Sequence, residues 1–386
     1  MRGNALAERD VTDTNAILSV TRLRLSNFRC YAEASFDGDE RPVVLTGPNG
    51  AGKTNVLEAV SYLGPGRGLR QARLADVDRR SGDATWAVSA TVVGLVGPVE
   101  LGTGRDPSSP RRIVRLNGAT VSGQSVLADY ISIVWLTPQM DRLFLEGAAA
   151  RRRFLDRLVF GFDSAHAGRV SAYEHAMRER ARLLKLGRQD DGWLSALEET
   201  MASRGIAIAA ARRDIAGRLA RACTETSGPF PAAGIAATGL VEDWLNEGPA
   251  LAAEDLLRQR LAEQRVKDAV TGRTGIGSHR SDFAVRHLEK DMPADQCSTG
   301  EQKALLIAIV LANARLQSAE HGMAPLLLLD EVAAHLDIGK RRVLFETLLG
   351  LGVQAWLTGT DRYLFDEFGD QAQFLTVSDA TLRPAA

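Results

Sequence analysis

The stretch Gly47-Pro48-Asn49-Gly50-Ala51-Gly52-Lys53-Thr54 constrains this chain more than any other. It fills every fixed position of the pattern GxxxxGK[ST]. Each residue type there has a chemical reason. Glycines let backbone N–H groups curl around phosphate oxygens, a lysine offers them a point charge, and a threonine hydroxyl reaches a magnesium ion. The flanks agree. Pro42–Thr46 reads as a short buried strand, and Val56, Leu57, Ala59, Val60 and Leu63 follow at helical spacing. Such a helix aims its positive end at the phosphates. Strand, glycine loop and helix in that order predict an ATP and Mg²⁺ site. Gly47 through Thr54 cradle the nucleotide, Lys53 sits against its β- and γ-phosphates, and Thr54 sits on the metal.

A second motif completes the chemistry. Leu326-Leu327-Leu328-Leu329-Asp330-Glu331 describes a buried strand ending in two acids. In α/β sheets that tip is where ligands sit. Asp330 is expected to help hold Mg²⁺, and Glu331 to orient or deprotonate the attacking water. A third motif, Ser298-Thr299-Gly300-Glu301-Gln302-Lys303, stands before an apolar helix. By itself it is an N-cap with a capping-box flavour. Its place about 30 residues before the acidic strand end changes the weighing. The order P-loop, signature, acidic strand resembles the ABC-type ATPase head. In that superfamily the signature serves ATP bound on the opposite subunit, so Ser298, Gly300 and Gln302 are expected to meet a second copy's nucleotide. Gln139, just past a strand, is a candidate for the glutamine that touches Mg²⁺ or water, or else is polar surface. His335-Leu336-Asp337 falls where the superfamily has its D-loop. Where transporters carry a switch histidine, this chain reads Thr358-Gly359-Thr360-Asp361, so Thr360 or Asp361 would have to sense the γ-phosphate.

The remaining texture divides the 386 residues. Residues 1–17 are polar and aperiodic and are expected to be a disordered leader. Residues 18–145 are β-rich, with Asn117-Gly118 as a hairpin signal. Residues 146–276 carry apolar positions three and four apart, as in Leu194, Leu197 and Met201, and predict a short helical arm with an antiparallel pair turning near Gly187–Gly192. Residues 277–386 return to α/β texture. The expected fold is therefore α/β: an ABC-type P-loop ATPase head with a β-rich N-terminal part and an inserted, coiled-coil-like helical arm. No apolar run reaches the roughly 18 residues a membrane span needs, and no signal peptide is evident. Three scattered cysteines suggest neither zinc nor a disulfide framework, which fits a reducing cytoplasm. The net charge of −1 does not advertise a nucleic-acid binder, although a basic patch can sit on a neutral surface.

Two further stretches sharpen the picture. Arg151-Arg152-Arg153-Phe154-Leu155-Asp156 and Ser278-His279-Arg280-Ser281-Asp282, taken with Leu25-Ser26-Asn27-Phe28-Arg29 and the motifs above, resemble the RecF family of SMC-like ATPases over nearly the whole chain. The resemblance implies a cytoplasmic protein that binds duplex and gapped DNA under ATP control. It implies a dimer closed head to head around two ATPs, with slow hydrolysis. It also implies RecA loading with RecO and RecR, in recombinational repair, replication restart and the SOS response. The chain departs from the ABC signature at Cys297 and Thr299. On the residues alone, Arg151 to Arg153 read either as a solvated helix face or as contacts to DNA phosphates or a neighbouring subunit. His279 and Arg280 read as ion pairing or nucleotide contact, with Asp282 a candidate partner of Arg280. An ABC transporter subunit is the competing class, and a nuclease-type relative of the same superfamily a third. The transporter reading lacks its histidine, and the nuclease reading lacks room for a second domain.

Overall fold

The computed structural model describes residues 17–80, 85–106, 111–187, 190–225 and 228–385. The expected leader lies outside the described residues except for Ile17. In chain order the strands are β1 (Ser19–Phe28), β2 (Tyr31–Asp37), β3 (Val43–Thr46), β4 (Trp86–Gly94), β5 (Gly97–Arg105), β6 (Arg112–Leu116), β7 (Ala119–Val121), β8 (Ile133–Leu136), β9 (Ala233–Thr238), β10 (Asp282–His287), β11 (Met292–Pro293), β12 (Leu326–Leu329), β13 (Ala355–Gly359), β14 (Gln373–Ser378) and β15 (Thr381–Pro384). The helices are α1 (Lys53–Ser61), α2 (Ala148–Phe160), α3 (His166–Lys185), α4 (Asp191–Thr224), α5 (Leu240–Glu247), α6 (Ala250–Glu263), α7 (Arg265–Thr271), α8 (Thr299–His321) and α9 (Ile338–Gly350).

Two sheets make the head. One is antiparallel, in the order β2-β1-β4-β5-β6-β7. The other runs β15-β14-β3-β13-β12-β8, parallel except for the β15 edge. Strands buried on both faces read as continuous apolar runs, which is why β3 (VVLT) and β12 (LLLL) are buried at every position. Alternate residues still point to opposite faces. Val44, Leu327, Leu329 and Leu357 enter one core, against α2, α8 and α9. Val43, Leu45, Leu326, Leu328 and Trp356 enter another, against α1 and the antiparallel sheet. Arg112 on β6 ties that sheet to the end of α1, donating to the carbonyls of Gly64 and Gly66 (3.2 and 2.9 Å) and to that of Tyr62.

Register fixes where the chemistry can gather. Leu329 pairs with Leu136 and Leu357, and Gly359 pairs with Thr46. The residues that follow these strand ends therefore leave the sheet at one edge: Gly47, Gln139, Asp330 and Thr360.

The arm is built on α3 and α4, which run antiparallel. At 34 residues α4 is about 50 Å long. The insertion is not wholly helical, contrary to expectation. β9 lies inside the insertion and pairs antiparallel with β10, so the strand pair spans the boundary drawn at 276/277. Its sequence, Ala-Gly-Ile-Ala-Ala-Thr, is poor in β-branched and aromatic residues and gives little strand signal.

A knot of ion pairs joins arm and head. Arg151 forms a bidentate pair with Asp282 (2.8 and 2.7 Å), and Arg152 donates to the Ser281 carbonyl (2.7 Å). Asp282 is thus the partner of Arg151. Arg280 instead donates to the Thr274 carbonyl (3.1 Å). The buried Asp156 receives Arg212 through both oxygens (2.8 Å each) and His166 (2.8 Å). His279 meets the Tyr173 hydroxyl (2.7 Å), and burial holds its pKa below the usual histidine range. Two of the three arginines are thus held by the Ser278–Asp282 segment, while Arg153 remains exposed.

Deeper in the arm, Arg180 is fully buried, bonded to Glu198 (2.9 Å), Asp268 (2.7 Å) and the Leu261 carbonyl (2.7 Å). Removing one member of such a group strands the others without a counter-charge. Arg180→Met is expected to cost about 3–5 kcal/mol of stability. Urea unfolding followed by circular dichroism checks this, and a midpoint within error of the parent would contradict it.

Candidate nucleotide site

The glycines of the loop after β3 are required by their surroundings. Gly47 has φ +144°, and a Cβ there would lie 2.2 Å from the Val377 carbonyl oxygen. Gly52 has φ +114°, and a Cβ there would lie 2.7 Å from the Tyr31 hydroxyl, which itself donates to the Gly52 carbonyl (3.1 Å). Side chains rarely adopt such backbone angles. Tyr31 and Cys30, at the β1–β2 turn, thus hold the loop from behind.

Lys53 is nearly buried, and its Nζ donates to the carbonyls of Gly47 (2.6 Å) and Pro48 (3.0 Å). Burial lowers its pKa, against the raising influence of Glu331, Asp330 and Asp361. The Thr54 hydroxyl lies 3.1 and 3.0 Å from the two Asp330 carboxylate oxygens. On its other side Asp330 accepts from the Thr358 hydroxyl (2.7 Å). Burial raises the Asp330 pKa, while the Thr358 and Thr54 hydroxyls oppose that rise. Glu331 follows with φ +52°, its N–H donating to Thr358 Oγ1 (2.9 Å). A left-handed backbone in a non-glycine residue is a strained setting of the kind found at functional sites.

These groups suit a hydrated divalent cation. One hydroxyl and one carboxylate, with open space beside Gly50, make a partial oxygen shell that phosphate oxygens and water can complete, as magnesium prefers. Among the described residues no group of three or more His, Cys, Asp or Glu forms a closed cage.

The other candidates are placed as follows. Gln139 is exposed on the turn Pro138–Arg142 after β8, at the same sheet edge. Ser298 caps α8 in a capping box: its Oγ accepts from the Glu301 N–H (3.4 Å), and the Glu301 carboxylate accepts from the Ser298 N–H (2.9 Å). Lys290 and those Ser298 bonds bring Glu301 down to about 2. Ser298 and Gly300 are exposed. Gln302 was expected to face nucleotide but is turned inward, 2% exposed, its Nε2 donating to the Cys297 carbonyl (2.9 Å). It braces the cap. As the fourth residue of α8 it points inward, on the packed side of the helix.

Thr360 and Asp361 bond to each other (2.6 Å) on the exposed side. The group that touches both acids is Thr358, which the sequence reading passed over. Only the register of β13 against β12, in which Leu357 pairs with Leu329, brings its hydroxyl to Asp330. Arg70 was also missed. It donates to Asn55 (2.8 Å) and Glu58 (3.0 Å), and its charge acts on Asp330. Lys303, buried on α8, reaches the Glu331 carbonyl (3.4 Å) and Asp141 (3.6 Å) and so ties the signature helix to the acidic strand.

A parallel sheet with a phosphate-loop helix, an acidic strand tip and an inserted helical arm defines an ATPase head of the SMC and ABC type. Residues 19–378 match the family model RecF/RecN/SMC N terminal domain. The DNA replication and repair protein RecF of Rhizobium rhizogenes is 50% identical over 363 residues, 93% of this chain and 96% of that protein. RecF of Mesorhizobium japonicum is 50% identical over 369 residues, 95% of this chain and 97% of that one. Among solved structures, the recombination mediator protein RecF-ATP in the RecFOR pathway superposes with a TM-score of 0.82 at 20% identity, covering 96% of this chain and 100% of that chain. The Pyrococcus furiosus Smc head bound to the C-terminal domain of ScpA gives 0.53 at 15% identity, covering 96% of each chain. The chain belongs to the RecF family. No helix of the described residues is long and apolar enough to cross a membrane.

Proposed function

We propose that this chain is an ATP-switched DNA-binding protein of recombinational repair in the cytoplasm. The observation that carries the reading is the meeting of Thr54, Asp330, Thr358 and Glu331 at one sheet edge beside Lys53. Gly47 through Thr54 bind the phosphates of ATP. Thr54 and Asp330 would hold Mg²⁺, with Gln139 a further candidate ligand, and the ion would supply positive charge against the phosphate oxygens. Glu331 positions and deprotonates the attacking water, and Thr358 keeps its backbone in place. Hydrolysis is slow, so the nucleotide acts chiefly as a switch.

The site is completed by a second copy of the chain. Ser298 and Gly300 present the start of α8, and a Cβ on Gly300 would meet nothing within 4 Å, so nothing inside this chain demands glycine there. Close approach from outside supplies the reason. Ile338, just after the candidate D-loop, is 69% exposed, and Tyr363, just after Asp361, is 63% exposed. Exposed apolar side chains beside these two loops support a partner head as their cover. The relatives named DNA replication and repair proteins, and the solved relative of the RecFOR pathway, support DNA as the ligand and RecR and RecO as partners. Our reading takes duplex and gapped DNA as the form bound and RecA loading as the outcome.

Anisotropy titration of a gapped duplex with and without ATP tests this. ATP is expected to raise affinity at least about tenfold, and the affinity to fall steeply with salt as phosphates are neutralised. Equal affinity in both conditions would overturn the switch reading.

A further inference from the structure

A second concavity, of about 340 Å³, opens between the loop after α1, the start of β8 and the outer face of α2. It lies beyond Ser61, at the opposite end of α1 from Lys53 and Thr54, and shares no residue with the nucleotide site. At its base the Arg157 guanidinium lies over the Trp135 ring, 4.3 Å from the centroid, and 5.3 Å from that of Phe154. Its Nη2 reaches only the Met140 sulfur (3.5 Å), and its Nε is sealed from solvent with no acceptor. No carboxylate lies within ion-pair reach of it among the described residues. Burial pushes its pKa down to about 9.

Arg157 is half-buried, and a guanidinium with a sealed, unfilled donor and no counter-charge is costly unless something else satisfies it. Two more arginines, Arg67 and Arg153, line the same cavity and are exposed, with no ion-pair partner among the described residues. The two carboxylates in the lining are already engaged: Asp156 by Arg212 and His166, and Glu174 by Arg178 (3.5 Å). Ile131, Ile133, Phe160 and Val170 supply apolar wall beside these charges. The cavity therefore offers excess positive charge inside an apolar cup.

We propose that this cavity docks an acidic, apolar segment of a partner protein, with a carboxylate received by Arg157 and Arg153 and the adjoining apolar side chain seated against Phe160 and Val170. The concavity favours peptide over nucleic acid. Phosphate backbones are met by solvent-exposed cations along open, wet surfaces. Peptide anchors fill desolvated pockets in which arginine and aromatic residues carry most of the affinity.

The test uses the full chain and two blocked peptides that differ by one charge, N-acetyl-Asp-Leu-Phe-amide and N-acetyl-Asn-Leu-Phe-amide, in isothermal titration. The Asp peptide is expected to bind at least about tenfold more tightly, since charge-assisted bonds are about twice as strong as neutral ones. Arg157→Met keeps the packing on Trp135 and is expected to abolish that preference with ATP affinity unchanged. Arg153→Gln, at an exposed position that folding does not depend on, is expected to reduce the preference about threefold to tenfold. Equal binding of the two peptides, no saturable binding up to about 5 mM, or a preference retained in both variants would overturn the proposal. Competition by a short oligothymidylate would reassign the cavity to nucleic acid and equally overturn it.

Discussion

Lys53→Ala is expected to lose nucleotide affinity by about a hundredfold or more, and with it any effect of ATP on DNA binding. The lysine is the single cation inside the loop, nearly buried, and spends its protons on the Gly47 and Pro48 carbonyls. Those bonds pre-position Nζ over the cradle, so little side-chain entropy remains to be lost when phosphates arrive. Two charge-assisted bonds at about 1.5 kcal/mol each amount to about 3 kcal/mol, hence the hundredfold figure. The carbonyl contacts also predict that the empty loop loosens in the variant, so a modest fall in thermal stability should accompany the loss of affinity. Equilibrium dialysis with labelled ATP measures the first effect. Parental affinity in a folded Lys53→Ala protein would remove the loop from the nucleotide site.

Glu331→Gln is expected to leave ATP affinity within about twofold while cutting hydrolysis by about 10²–10⁴, the usual contribution of a positioned general base. The two effects separate because the parts separate. In the proposed site metal and phosphates fall to Thr54, Asp330 and Lys53, whereas the Glu331 side chain makes none of the hydrogen bonds that join Thr54, Asp330 and Lys53 to their partners. Its backbone is fixed by Thr358, so the amide occupies the carboxylate's place without moving the strand tip. With hydrolysis blocked, ATP should hold two copies together. Sedimentation of the variant with ATP is expected to show a stable dimer, and without ATP a monomer. A monomer in both conditions would detach the signature helix from the nucleotide site. Unimpaired hydrolysis would move the base elsewhere.

The sequence was most legible where physics is local. The buried strands β3 and β12 announced themselves as apolar runs because both faces are covered, and the loop after β3 because phosphate chemistry tolerates few substitutes. The antiparallel helices of the arm showed through their three-and-four spacing. Contacts between distant segments were harder to see. That Arg151 takes Asp282, while Arg280 takes only a carbonyl, depends on how α2 meets β10, 131 residues apart in the chain. Spacing carries no trace of that. Gln302 looked like a ligand by position in a motif, yet a helix turns each residue by a fixed angle and the fourth residue of α8 faces the core. Thr358 was hidden for the converse reason: a buried threonine in a strand resembles an ordinary β-former until the neighbouring strand's register places it beside Asp330.

The β9–β10 pair has a mechanical consequence. A helical insertion joined to a head by two single strands of chain could swing on both as hinges. Here one of the returning segments is zipped to a strand within the insertion over six residue pairs, from Asp282 with Thr238 to His287 with Ala233. Rotation at that root would tear a ladder of amide bonds rather than flex a loop. Whatever moves the head carries the base of the arm rigidly. Deuterium uptake should accordingly be slow in the paired amides of β9 and β10.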